Sequence, residues 1–142
     1  MGTRSAQAWA AALFGIAIVA GALAAPRADG GGRTVTVVER DFRITVSTNR
    51  VPAGDVTFRI DNDGPDAHEL ILVRDRGRLP LRADGITVDE DALEKQTLGA
   101  VEPAAAGARR VLRVRLTRGR YLLLCNMYGH FMGGMHAVVV AR

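Results

Sequence analysis

Residues 125–140, CNMYGHFMGGMHAVVV, hold the chain's only cysteine, two of its three histidines and three of its four methionines. A thiolate, an imidazole and a thioether are soft and borderline metal ligands, and Cys125, His130 and Met135 follow one another as C-x4-H-x4-M. In an extended strand, at about 3.3 Å per residue, the outer two would stand roughly 33 Å apart. The segment must therefore fold back on itself if the three are to share one ion. Gly129 before the histidine and Gly133-Gly134 before the methionine permit the tight backbone paths that such a loop needs.

Thiolate, imidazole and thioether make an incomplete set for a cupric ion, and a second imidazole must come from elsewhere. His68 suits the role, because it follows a turn and opens a strand, which would project its ring from one end of a sandwich. Two histidines and a cysteine in a plane, with a weak and distant methionine, are the signature of an electron-transfer copper centre. Zinc is the poorer fit, since a methionine is an unusual fourth ligand for it. Taken singly, these residues have plainer readings: Cys125 as a small buried hydrophobe, His68 as a polar strand end and Met135 as a core filler. His136 directly follows Met135 and points the other way once a strand has begun, so it is read as a non-ligand. Met127 and Met132, with Tyr128 and Phe131, are read as an apolar rim around His130.

Catalysis is not expected. Cys125 and His130 would be a nucleophile and base without an orienting third group or an oxyanion-hole motif. Multicopper oxidase chemistry needs several His-x-His pairs, and a binuclear copper site needs a second cysteine; the chain has three histidines and one cysteine. A rival of another class is a copper carrier that hands Cu(I) to an oxidase or a resistance system, with similar ligands.

The elements that must hold these residues are strands. Val35 and Val37 alternate with threonines, Phe42, Ile44 and Val46 with polar residues, and Val56, Phe58 and Ile60 with Thr57 and Arg59. Pro52-Ala53-Gly54-Asp55 and Asn62-Asp63-Gly64-Pro65 mark turns between them. Residues 68–73, HELILV, are apolar on both parities after the first two, as in a strand buried on both faces. Thr87-Val88-Asp89-Glu90 offers a capping box, and a short helix is expected over residues 88–96. Strands resume near residues 98–101, 110–116, 120–124 and 136–141. In Tyr121-Leu122-Leu123-Leu124-Cys125, the first, third and fifth side chains share what should be the inner face. About eight short strands with one small helix predict an all-β, antiparallel sandwich of Greek-key type.

The amino-terminal stretch differs from the rest. Arg4 precedes an unbroken apolar run over residues 8–25, and Ala22-Leu23-Ala24 is a small-x-small cleavage pattern, so residues 1–25 read as a secretory signal. The competing reading is an uncleaved membrane anchor, because the run approaches the roughly 20 residues of a spanning helix. Residues 26–33 form a Gly-rich linker, and residues 34–142 are left as a single copper-binding domain. Export implies a periplasmic or other extracytoplasmic location, where one cysteine cannot form an internal disulfide. Without residues 1–25 the chain carries 18 basic and 15 acidic residues, too mild an excess to argue for nucleic acid. Residues 107–120 hold six arginines, read first as the solvated face of a strand and second as a docking patch for an acidic partner or anionic lipid.

With these motifs in view, the chain resembles small blue copper proteins, the plastocyanin-like cupredoxins. It is most similar to sulfocyanin-type members, whose last loop reads C-N-x-x-G-H with a later G-M, here Cys125-Asn126-Met127-Tyr128-Gly129-His130 and Gly134-Met135. Residues 51–70, VPAGDVTFRIDNDGPDAHEL, are similar to the family's segment around its first ligand histidine. The resemblance implies one type 1 copper, with His68, Cys125 and His130 equatorial and Met135 axial. It implies a monomer passing single electrons between redox proteins such as a cytochrome or a terminal oxidase, through the apolar surroundings of the second histidine. One position departs from plastocyanin and azurin: where many of them carry Asn or another small polar residue after the first ligand histidine, this chain has Glu69. Asp63, Asp66 and Glu69 near His68 would favour Cu(II), although turn chemistry explains the two aspartates equally well.

Overall fold

The structure, a computed structural model, describes residues 32–142. The expected signal or anchor and most of the linker lie outside these residues. Among the described residues no helix is long and apolar enough to cross a membrane.

Two sheets face each other. One contains β1 (Arg33–Arg40), β2 (Arg43–Val46), β4 (Gly54–Asn62) and β7 (Arg109–Leu116), in the order β2-β1-β4-β7. The other contains β3 (Arg50–Val51), β5 (His68–Arg74), β6 (Thr97–Ala104), β8 (Gly119–Leu124) and β9 (His136–Ala141), in the order β3-β9-β8-β5-β6. Among the described residues the expected all-β sandwich is present with nine strands, the extra one being the two-residue β3. It is mixed rather than wholly antiparallel, because β1 runs parallel to β4 and β3 parallel to β9. Alternation reports burial on one face but not the direction of the neighbour, which is why the sequence did not distinguish the two.

The inward parities form the main core: Val35 and Val37 of β1, Phe58 and Ile60 of β4, Leu70 and Leu72 of β5, Tyr121 and Leu123 of β8, all fully buried. Each such side chain contributes roughly 1.5–3 kcal/mol by leaving water. Tyr121 remains satisfied by donating its hydroxyl hydrogen to the Thr117 carbonyl at 2.7 Å. A second cluster explains the strands that are apolar on both parities. Ile71 and Val73 of β5 and Leu122 and Leu124 of β8 face outward from their sheet and are covered by Val88 and Leu93 of the long β5–β6 connection.

The helix in that connection is shorter than expected: α1 (Glu90–Leu93) followed by a 3-10 turn (Glu94–Gln96). Its cap is Asp89, whose carboxylate accepts from the Ala92 N–H at 3.2 Å, and not Thr87. The acidic member of the supposed box is thus already in the first turn, where it favours the helix dipole. The arginine-rich strand also departs from a uniform solvated face. Arg113 and Arg115 are exposed on β7, but Arg110 points inward and pairs with the fully buried Glu39.

Candidate metal centre

Strand β8 delivers Cys125 to one end of the core, where it is fully buried beside Leu123 and Tyr121. The chain then turns back at once. His130 N–H donates to the Met127 carbonyl at 2.8 Å, Gly133 N–H to Gly129 at 2.9 Å, and Met135 N–H to His130 at 3.0 Å. Cys125 N–H donates to the Met135 carbonyl at 3.1 Å, which closes the loop across its base before β9 begins. Gly129 and Gly134 have φ of +77° and +104°, left-handed conformations that a side chain would resist.

His68 is placed from the opposite side. Buried Asn62 at the end of β4 donates to the carbonyls of Asp66 and Ala104, both at 2.9 Å, and accepts from Gly64 N–H at 3.0 Å. These bonds shape the turn that precedes β5 and present the fully buried His68 at its first position. The His68 carbonyl accepts from Arg110 at 2.9 Å.

Cys125, His68 and His130 each offer one ligand atom, and these atoms all lie within 4.8 Å of one another. Cys125 Sγ is 3.5 Å from His130 Nδ1, and the two imidazole centroids are 5.1 Å apart. His68 Nε2 meets Asp41 Oδ1 at 3.1 Å, whereas His68 Nδ1 is buried without any hydrogen-bond partner. A buried ring nitrogen without a partner is costly unless something is bound to it. Burial, followed by the charge of a protonated His130, lowers the His68 pKa, so its ring is held in the neutral form a metal needs. Burial raises the Cys125 thiol, opposed by the backbone N–H groups of Glu69 and Met127. A cation would supply the charge that turns it into a thiolate.

Met135 is fully buried and joins the main core, with its backbone bonded to both Cys125 and His130. His136 is exposed and packs edge-on against Phe131 at 5.4 Å. The rim around His130 is only partly the expected one. Tyr128 and Met132 are exposed and Met127 packs on the main core, but Phe131 turns toward His136 and the second cluster. Phe42 makes the aromatic contact with His130 instead, edge-on with ring centroids 5.4 Å apart and planes inclined at 64°. The alternation over residues 42–46 predicts that Phe42 shares one face of a strand with Ile44 and Val46. Phe42 lies in the turn before β2 and is 53% exposed.

Glu69 ties the two ligand segments together. One of its carboxylate oxygens accepts from Asn126 N–H at 3.1 Å, joining the His68 strand to the residue after Cys125. Burial and the neighbouring Glu90 charge raise its pKa. Of the flanking aspartates, Asp63 pairs with Arg40 at 3.4 Å. The carboxylate that touches His68 is Asp41, which the alternation of residues 40–46 did not single out.

No protein-family model matches the chain, and no curated protein is similar to it. Solved structures are. Dithionite-reduced auracyanin from Roseiflexus castenholzii superposes with a TM-score of 0.60 at 18% identity, over 80% of this chain and 99% of that one. Auracyanin A from Chloroflexus aurantiacus, described as a "blue" copper protein, gives 0.58 at 17% identity, over 79% and 100%. Reduced rusticyanin gives 0.57 at 19% identity, over 79% and 81%. These proteins are cupredoxins, and the described residues share the cupredoxin fold.

Proposed function

We propose that this cupredoxin-fold chain is an exported one-electron carrier that holds a single type 1 copper through His68, Cys125, His130 and Met135. The observation that carries the reading is the convergence within 4.8 Å of one ligand atom each from the buried His68, Cys125 and His130, beside a His68 Nδ1 that is buried and has no hydrogen-bond partner. The donor set fits copper: a soft thiolate and thioether suit Cu(I), and imidazoles suit both oxidation states. When bound, copper supplies the reversible Cu(II)/Cu(I) couple. The chain's own contribution is a loop braced by its internal hydrogen bonds and by the tie from Glu69 to Asn126. Such bracing limits ligand movement between oxidation states, which suits electron transfer more than release of the ion. His130 alone among the buried ligands retains some exposure, 9%, amid the exposed Tyr128, Met132 and Phe42. That edge is the proposed path for electrons to and from a redox protein such as a cytochrome or a terminal oxidase. Short-lived encounters of this kind use small surfaces.

The kinship to sulfocyanin-type members rests on the Cys125–His130 spacing and Gly134-Met135, and the periplasmic or extracytoplasmic setting on residues 1–25 as a signal or anchor. A redox titration of the copper-loaded protein tests the function. One reversible one-electron transition per chain, with copper retained in both states, is expected. Binding of Cu(I) alone, with rapid loss to a chelator on oxidation, would replace electron transfer with copper delivery.

A further inference from the structure

Two consecutive residues, Asp41 and Phe42, reach both histidines from the turn that joins β1 to β2. We infer that this turn positions the two imidazoles and that Asp41 sets the reduction potential of copper held between them. The inference rests on the type 1 copper reading above.

Four features of the chain point to it. Asp41 Oδ1 accepts from His68 Nε2 at 3.1 Å, which fixes the tautomer and leaves Nδ1 as the free donor atom. The Phe42 ring packs edge-on against the His130 ring, with centroids 5.4 Å apart and planes inclined at 64°.

Glycines clear the space that both contacts occupy. A Cβ at Gly64 would lie 2.7 Å from His68 Nε2 and 2.9 Å from Asp41 Oδ1, and one at Gly133 would overlap the Phe42 ring. The first of these glycines belongs to the turn before His68 and the second to the loop carrying His130 and Met135. Both ligand segments are therefore shaped around the same hairpin. Asp63 N–H donates to the Glu39 carbonyl at 2.9 Å, which holds the hairpin base against the turn before His68.

The backbone of the turn makes its residue choice hard to explain as turn chemistry. Phe42 has φ of +58° and is the only non-glycine residue with positive φ among the described residues. Glycine or asparagine would adopt this conformation with less strain, and a bulky aromatic there is an outlier. Phe42 is also 53% exposed, so core burial does not account for it. Contact with His130 does, and strain of this sort is maintained where the surroundings hold a residue to a task.

Asp41 acts by charge as well as by geometry. A carboxylate on the outer nitrogen of a ligand imidazole makes the ring a better donor and favours the more highly charged ion. Asp41→Asn keeps an acceptor for Nε2–H and removes the charge. It should lower affinity for Cu(II) relative to Cu(I) by about tenfold, read as a rise in potential of about 59 mV for a one-electron couple.

The test measures three variants beside the wild type. Asp41→Asn should raise the potential while the metal-free melting temperature stays at the wild-type value. Asp41→Ala should in addition let the His68 ring populate both tautomers in the metal-free protein, read from its imidazole 15N shifts; the wild type and Asp41→Asn should show one. Phe42→Gly should leave metal-free melting unchanged or raised, because strain is relieved, and speed copper loss to a chelator about tenfold. Unchanged potential in Asp41→Asn, unchanged tautomer in Asp41→Ala, or unchanged copper loss in Phe42→Gly would overturn the inference in that part. Wild-type protein that is not blue would overturn the copper reading itself, whereas blue wild type with unmoved variants overturns only the role of the turn.

Discussion

Asn126 and Val88 hydrogen-bond in both directions: Val88 N–H donates to Asn126 Oδ1 at 2.7 Å, and Asn126 Nδ2 donates to the Val88 carbonyl at 2.9 Å. The same amide nitrogen donates to Glu90 at 2.7 Å, and the Asn126 backbone N–H to Glu69 at 3.1 Å. The residue next to Cys125 is thus bound to the long connection over one sheet and to strand β5. Loop and scaffold are joined at the site's inner edge.

Asn126→Ala leaves the N–H and C=O of the fully buried Val88 without these partners. Each unsatisfied group costs about 1–3 kcal/mol, so a loss of at least about 2 kcal/mol in unfolding free energy is expected. Urea denaturation of the metal-free protein measures it. A loss below about 0.5 kcal/mol would mean that water replaces the bonds and the anchor is weak.

Arg110 binds buried Glu39 and donates to the carbonyls of His68 at 2.9 Å and Glu102 at 2.8 Å. At about pH 8, Arg110→Met should cost about 3–5 kcal/mol, because buried Glu39 loses its counter-ion, and must stay charged or take up a proton, and two carbonyls lose their donor. The double variant Glu39→Gln, Arg110→Met should regain much of that loss. Equal destabilisation in the single and double variants would place the cost in the lost carbonyl bonds instead.

Glu39 also gives the fold a pH dependence. Its pKa is raised from 4.5 to about 7, with burial outweighing the Arg110 guanidinium. Between these values the folded state binds more protons than the unfolded chain, so this group makes stability fall as pH rises through the window. The full effect is on the order of 3 kcal/mol from the shift alone. Glu39→Gln should flatten the slope of unfolding free energy between about pH 4.5 and 7; a slope unchanged by the substitution would assign it to other groups.

Met135 is fully buried, and leucine nearly matches its volume. Met135→Leu should cost less than about 1.5 kcal/mol in stability. Copper should stay bound and the potential should rise, because the site loses a donor and becomes more apolar, which costs the more highly charged Cu(II) more than Cu(I). An unchanged spectrum and potential would take Met135 out of the ligand set and leave it as core.

The convergence of the loop was legible because ligand chemistry and glycine placement coincide in one short segment, and the strands because alternation marks a buried face. What the sequence did not reveal depends on contacts between distant elements. Arg40-Asp41-Phe42-Arg43 has no glycine, asparagine or proline, so the alternation reads straight through what is a turn, and Asp41 and Phe42 were missed together. Arg110 looked like one more surface arginine because its partner Glu39 lies on another strand, 71 residues away. Glu69 looked like a departure from the cupredoxin pattern, yet its longer side chain spans to Asn126. Thr87 and Asp89 are both plausible caps, and only the path of the backbone separates them. The two-residue β3 is too short to carry any period.

The most direct test of the central claim is the visible and paramagnetic resonance spectrum of the protein with one equivalent of Cu(II). An intense thiolate-to-copper charge-transfer band with narrow copper hyperfine splitting, abolished in Cys125→Ser, is the result expected of a type 1 site. A weak tetragonal signal that survives Cys125→Ser unchanged would contradict it.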